Sequence, residues 1–310
     1  EFKTSIDHLA SSKISVQPQK TLKYTGDDLQ VGSNTITLSG GGTIENTNKL
    51  ILDNTASILA MNGIGQISKI SVTSPLTNGK LSVGADAIIQ VFEHTESSKL
   101  EISDDASLTI QNGFEVPQNK SMELTGSDNG TLILGDKLTL AGILKISAPD
   151  KLSGGTLELK GGTLAVNENS LIESALTHID KSNIDVISGK TLKYTGNEAR
   201  IGALEMTLSG GGFIDNLNDF ALDDPNSVLA MSGIEISKVA FTENLTNGQL
   251  TIDKNSIIKN LTNSKSSRIN IGSGDRLTVE NPFEIPTNTD MHFVGFGTGI
   301  MQINDTLKIS

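Results

Sequence analysis

Ile36-Thr37-Leu38-Ser39-Gly40-Gly41-Gly42 reads as two apolar side chains flanking a polar one, followed by a run of glycine. Alternation of that kind sends two side chains inward and one outward, as in a short half-buried strand, and the glycines supply the turn that ends it. The pattern recurs along the whole chain. From Ile36, an apolar residue followed two places later by another is found at Ile14, Ile58, Leu81, Leu100, Met122, Leu144, Leu164, Ile184, Met206, Val228, Leu250, Ile269 and Met291, in steps of 19 to 23 residues. A second apolar position trails by about eight residues, as at Leu22, Ile44 and Leu108, and a third by roughly fourteen, as at Leu50, Phe114, Phe220 and Phe283. Each period of ~21 residues thus carries up to three short strands separated by Gly, Asn, Asp and Ser turns.

A unit this small cannot bury its own apolar face, so the faces must be covered by stacking one unit on the next. The expected fold is all-β: a single parallel β-helix, or solenoid, of about 14 coils running continuously over 1–310, right-handed by the usual preference of parallel crossovers. The competing arrangement is a string of immunoglobulin-like β-sandwiches of ~85 residues, which would show antiparallel hairpins and separate cores.

A longer repeat runs over the short one. KTLKYTG at Lys20 to Gly26 returns unchanged at Lys190 to Gly196, LSGGG at Leu38 to Gly42 returns at Leu208 to Gly212, and LAMNG at Leu59 to Gly63 returns as LAMSG at Leu229 to Gly233. After a one-residue deletion, SLTIQNGFEVPQN at Ser107 to Asn119 returns as RLTVENPFEIPTN at Arg276 to Asn288. The repeat units are 1–170 and 171–310, the second truncated. An active site is normally assembled once, whereas a scaffold gains length by copying itself.

Composition narrows the function. The formal charge of −12, with Arg only at positions 200, 268 and 276, is wrong for a nucleic-acid partner, which needs a basic stripe to displace counterions. No stretch reaches ~18 consecutive apolar residues, so no membrane insertion is expected in this segment. With no Cys there are no disulfides and no thiolate metal sites. Aromatics at 4% point to a core of thin aliphatic layers.

The four His (His8, His94, His178, His292) have no metal-ligand spacing and read as surface or turn residues. Tyr24 and Tyr194 are repeat equivalents and read as packing residues rather than a sugar platform. Gly272 to Leu277 (GSGDRL) resembles part of a calcium-binding nonapeptide, but that motif works by iteration and occurs once here, so no metal or cofactor is expected. The carboxylate pairs Asp27-Asp28, Asp104-Asp105 and Asp223-Asp224 have the counterparts Asn197-Glu198, Ser273-Gly274 and Asp53-Asn54, so they mark no shared catalytic constellation. Ile58-Leu59-Ala60-Met61 and Val228-Leu229-Ala230-Met231 are continuous apolar runs. They place Leu59 and Leu229 on the outer face, covered by a preceding loop or, with Met61 and Met231, exposed as a repeated contact patch.

The LTLSGGG-type coils, the Asn/Thr/Gly turns and the long tandem unit resemble β-helical segments of large bacterial surface adhesins, of the autotransporter-passenger and filamentous-haemagglutinin-like kinds. That resemblance implies a secreted or cell-surface location and service as a rigid stalk or contact surface, and it carries over no functional residue. The expectation is a non-catalytic structural and adhesive stalk segment, open at both ends. Its partners would be neighbouring repeats of the same chain and a host or cell-surface glycan or protein. The alternatives are a polysaccharide lyase or hydrolase on a β-helix, or a glycan-binding module without chemistry.

Overall fold

The computed structural model describes every residue except Asp7, Ser127, Asp128, Gly295 and Phe296. Among the described residues there are strands and turns and no helix, and the strands form a parallel β-solenoid of about 13 turns. Contacts divide the chain into two compact units, Glu1–Leu157 and Glu158–Ser310.

In the first unit one strand per coil builds the first sheet: Ser12–Ser15, Thr35–Ser39, Ile58–Asn62, Lys80–Val83, Ser98–Ile102, Ser121–Thr125 and Ile143–Ile146, each parallel to the next. In the second unit the same sheet position is taken by Thr163–Val166, Ser182–Val186, Glu205–Ser209, Val228–Ser232, Gln249–Lys254, Ser267–Ile271 and Met291–Phe293. The remaining strands of each coil close the walls. Gln66–Val72 pairs with Thr43–Asn46 through its first residues and with Leu50–Leu52 through its last, so two short strands of one coil lie under one long strand of the next. Among the described residues the strand pairings are parallel apart from the isolated antiparallel bridge Ile187–Gly211, which excludes the sandwich alternative.

The core is a set of aliphatic columns. Ile36, Leu59, Leu81 and Leu100 stack in register, and beside them Leu38, Met61, Val83 and Ile102; none is more than 2% exposed. In the second unit Met206, Leu229, Leu250 and Ile269 repeat the first column at 0% exposure.

Two details depart from the pattern read in the sequence. Leu59, Met61, Leu229 and Met231 all point into the core, and Ile58 and Val228 take the outward positions. The expected contact patch therefore does not exist. In a run of four apolar residues a period of two fixes the phase only to within one residue, and a one-residue shift turns every side chain to the other face. Stacking on Ile36 and Leu38 selects the phase that buries the larger Leu and Met rather than Ile and Ala. Elsewhere the columns slip by two. Ile14 stacks on Leu38 rather than Ile36, Leu100 on Leu124, Ile184 on Leu208 and Ile269 on Phe293. A slip of two keeps the inward face inward, and Ser12, Ser98, Ser182 and Ser267 fill the vacated rung against Ile36, Met122, Met206 and Met291.

Candidate functional site

Many polar side chains at the turns join one coil to the next. Asn46 stacks on Tyr24, its Nδ2 donates to Asn48 O at 2.8 Å and to Lys69 O at 2.7 Å, and its Oδ1 accepts the Lys69 N–H at 3.1 Å. Asn216 repeats this on Tyr194, donating to Asn218 O and Lys238 O and accepting the N–H groups of Ser237 and Lys238. Asn48 and Asn218 each donate to a carbonyl one coil below, Gly26 O and Gly196 O.

The carboxylates follow the same logic. Asp53 and Asp223 each accept a backbone N–H from the coil below, Gly32 and Gly202, at 2.8 Å. Ser57 and Ser227 donate to the carbonyls of those same glycines at 2.6 Å. Asp224 accepts the Asn226 N–H, and Asp28 accepts the Lys49 N–H. These acids cap turns, each with a carboxylate oxygen committed to a backbone N–H. Gly272 and Asp275 close a tight turn through the Asp275 N–H, and among the described residues no three His, Asp or Glu groups gather as metal ligands.

Both tyrosines are buried, as their packing role requires. The Tyr194 hydroxyl donates to Asn197 Oδ1 at 2.6 Å and accepts the Leu176 N–H, and burial pushes its pKa up to about 12. His8 and His178 make equivalent contacts to the Val31 and Ile201 carbonyls.

His94 is where the sequence reading fails. It is 5% exposed rather than at the surface, its Nε2 lies 2.8 Å from Ser98 Oγ, and its ring leans on Phe92. A histidine bonded to a serine invites comparison with a nucleophile and its base. Two features argue against that: Nδ1 has no partner to orient the ring, and burial lowers the pKa to about 4, which makes a poor proton acceptor. The counterpart pair in the second unit is Asn263 and Ser267, also buried.

Asp150 is a buried carboxylic acid. It is 1% exposed, neither carboxylate oxygen has a partner, and burial raises its pKa to about 6.

On the outer wall of the second unit, four successive coils shape a groove of about 370 Å³. One rim is the turn column Gly189, Gly211 and Gly233, all left-handed, with open space where a side chain at Gly189 would stand. The floor carries Thr191, Phe213, Glu235 and Ile257, paired rung to rung. Lys259 lies 4.0 Å over the Phe213 ring and 3.0 Å from Glu235, and Lys190 pairs with Glu168 at 2.6 Å. Sequence reading missed this groove. Its signal was the exchange of Thr43, Gln66 and Gln90 in the first copy for Phe213, Glu235 and Lys259 in the second.

The fold defines the class, a parallel β-solenoid with an internal tandem repeat. No protein-family model, curated protein or solved structure matches the chain.

Proposed function

We propose that this chain is a non-catalytic structural and adhesive stalk segment of a large repetitive bacterial protein, secreted or displayed at the cell surface. The observation that carries this reading is the duplicated turn bracket. Asn46, Asn48, Asp53 and Ser57 in one copy, and Asn216, Asn218, Asp223 and Ser227 in the other, all bond to backbone groups. Polar residues that a β-helical polysaccharide lyase or hydrolase would turn toward substrate are here committed to holding coils together. The acidic surface suits a solvated stalk and disfavours nucleic acid. The intended partners are neighbouring repeats and a glycan or protein on a host or cell surface, and no cofactor is required.

Incubating the protein with uronate and neutral polysaccharides, with and without calcium, tests this. The expected result is no new reducing or unsaturated ends. Turnover that disappears on changing Asp223-Asp224 to Asn would overturn the reading.

A further inference from the structure

We infer that the groove around Phe213 is a binding site for a neutral oligosaccharide lying along the stacking direction of the coils. The inference rests on the reading of the chain as a contact-bearing surface segment and gives that contact a place and a chemistry.

Four coils at ~4.8 Å each give the floor a length of about 14 Å, with one outward side chain per step. An extended pyranose chain advances by a similar distance per sugar, so successive sugars meet successive rungs. Ile257 and the part of the Phe213 ring that Lys259 does not cover supply the apolar surface on which the C–H face of a sugar packs. Around it stand groups that bond hydroxyls: the Glu235 carboxylate accepts, the Thr191 hydroxyl donates and accepts, and the exposed Asn255 amide does both. A small apolar platform ringed by a few convergent polar groups is the ordinary composition of a ligand site.

Charge selects the neutral ligand. Lys190 pairs with Glu168 and Lys259 with Glu235, so these two ammonium groups offer a polyanion no unpaired charge. The chain as a whole, at −12, repels one.

The tandem repeat supplies an internal control. At the matching place in the first unit the floor is Thr21, Thr43, Gln66 and Ile88, with no aromatic ring and no charge. There the turn also carries an additional residue, Gly65, whose N–H bonds to Gly42 O and whose α-carbon hydrogens face the Gly41 carbonyl. In the second unit Ile234 runs straight into Glu235, which makes the same bond to Gly212 O and leaves the turn one residue shorter. Four local differences therefore fall on one spot of an otherwise copied wall.

The test is titration of the full 310-residue chain with hexasaccharides of glucose, mannose and N-acetylglucosamine, and with uronate and sulfated hexasaccharides, read by ligand-observed NMR and calorimetry. At least one neutral hexasaccharide is expected to bind. Phe213→Thr and Glu235→Gln install the residues that the first copy carries at these rungs, so the fold is retained, which circular dichroism checks. Binding should weaken at least tenfold for Phe213→Thr and severalfold for Glu235→Gln, while Lys23→Ala in the first unit changes nothing. No binding across the neutral panel, preference for the anionic sugars, or indifference to Phe213→Thr would each overturn the inference and leave the stalk reading standing. Reducing-end assays on the same samples separate the two ideas: sugar that binds through Phe213 and is also cleaved supports the groove and ends the non-catalytic reading.

Discussion

Residues 92–116 of the first unit and 261–285 of the second are the same coils written with different interiors. Phe92, His94, Ser98 and Phe114 in one become Leu261, Asn263, Ser267 and Phe283 in the other. The backbone registers agree: His94 lies on Val72 as Asn263 lies on Phe241. The aliphatic columns thus fix the geometry, and an interior polar position accepts either an imidazole or an amide within it. What changes is the response to protons, because only one of the two guests titrates.

The largest effect should fall where the two units are alike. Leu59→Ala and Leu229→Ala each empty a fully buried column position and should cost about 2–5 kcal/mol, whereas Ile58→Ala and Val228→Ala, on the outward rungs, should cost about 1 kcal/mol or less. Urea unfolding reads both. Equal costs at Ile58 and Leu59 would contradict the register described above.

The next effect belongs to one unit only. Burial holds folded His94 at a pKa of about 4 against an ordinary value of 6.5, so below pH 6.5 the unfolded chain takes up a proton that the folded chain refuses. The His94 contribution to the stability of the first unit should therefore fall by about 3 kcal/mol as pH drops from 6.5 toward 4. Measured in an Asp150→Asn background, amide protection in Ala87–His94, corrected for intrinsic exchange, should decline over that range while Ser256–Asn263 holds steady. His94→Asn should make the two strands behave alike.

A slightly smaller effect of opposite sign comes from Asp150, which has no counterpart among residues 171–310. Its folded pKa is raised to about 6 from 3.8, so its contribution is fully present below pH 3.8 and is lost as pH rises through 6. The loss should be about 3 kcal/mol, slightly less than the His94 contribution. Between pH 4 and 6 the two groups pull against each other in the same unit. Asp150→Asn should consequently steepen the acid sensitivity due to His94, and an unchanged pH profile would show that the carboxylate is not the buried, unpaired group described.

Much of this architecture was legible in the sequence because stacking repeats one requirement many times. A strand that must bury residues two apart, about every 21 positions, leaves a signal that no single coil could give. The phase at Ile58–Met61 and Val228–Met231 was not legible, since alternation says nothing inside an unbroken apolar run. Nor were the two-residue slips at Ser12, Ser98, Ser182 and Ser267, because a small polar residue in an inward column looks like a turn residue until its neighbours are seen. His94 was misplaced for a related reason: the long strand Ala87–His94 continues the second wall further than its apolar letters do. The Phe213 groove depends on residues contributed by four coils, and its lining is scattered from 189 to 257 in the sequence.

The ladder pairings join residues some 19 to 24 positions apart, such as Leu81 with Leu100 and Ser12 with Ile36. Loop closure of that size is cheap and is the same at every step, so folding needs no distant partner to arrive. Each added coil buries its apolar face on the one already formed, so order can spread along the chain one rung at a time.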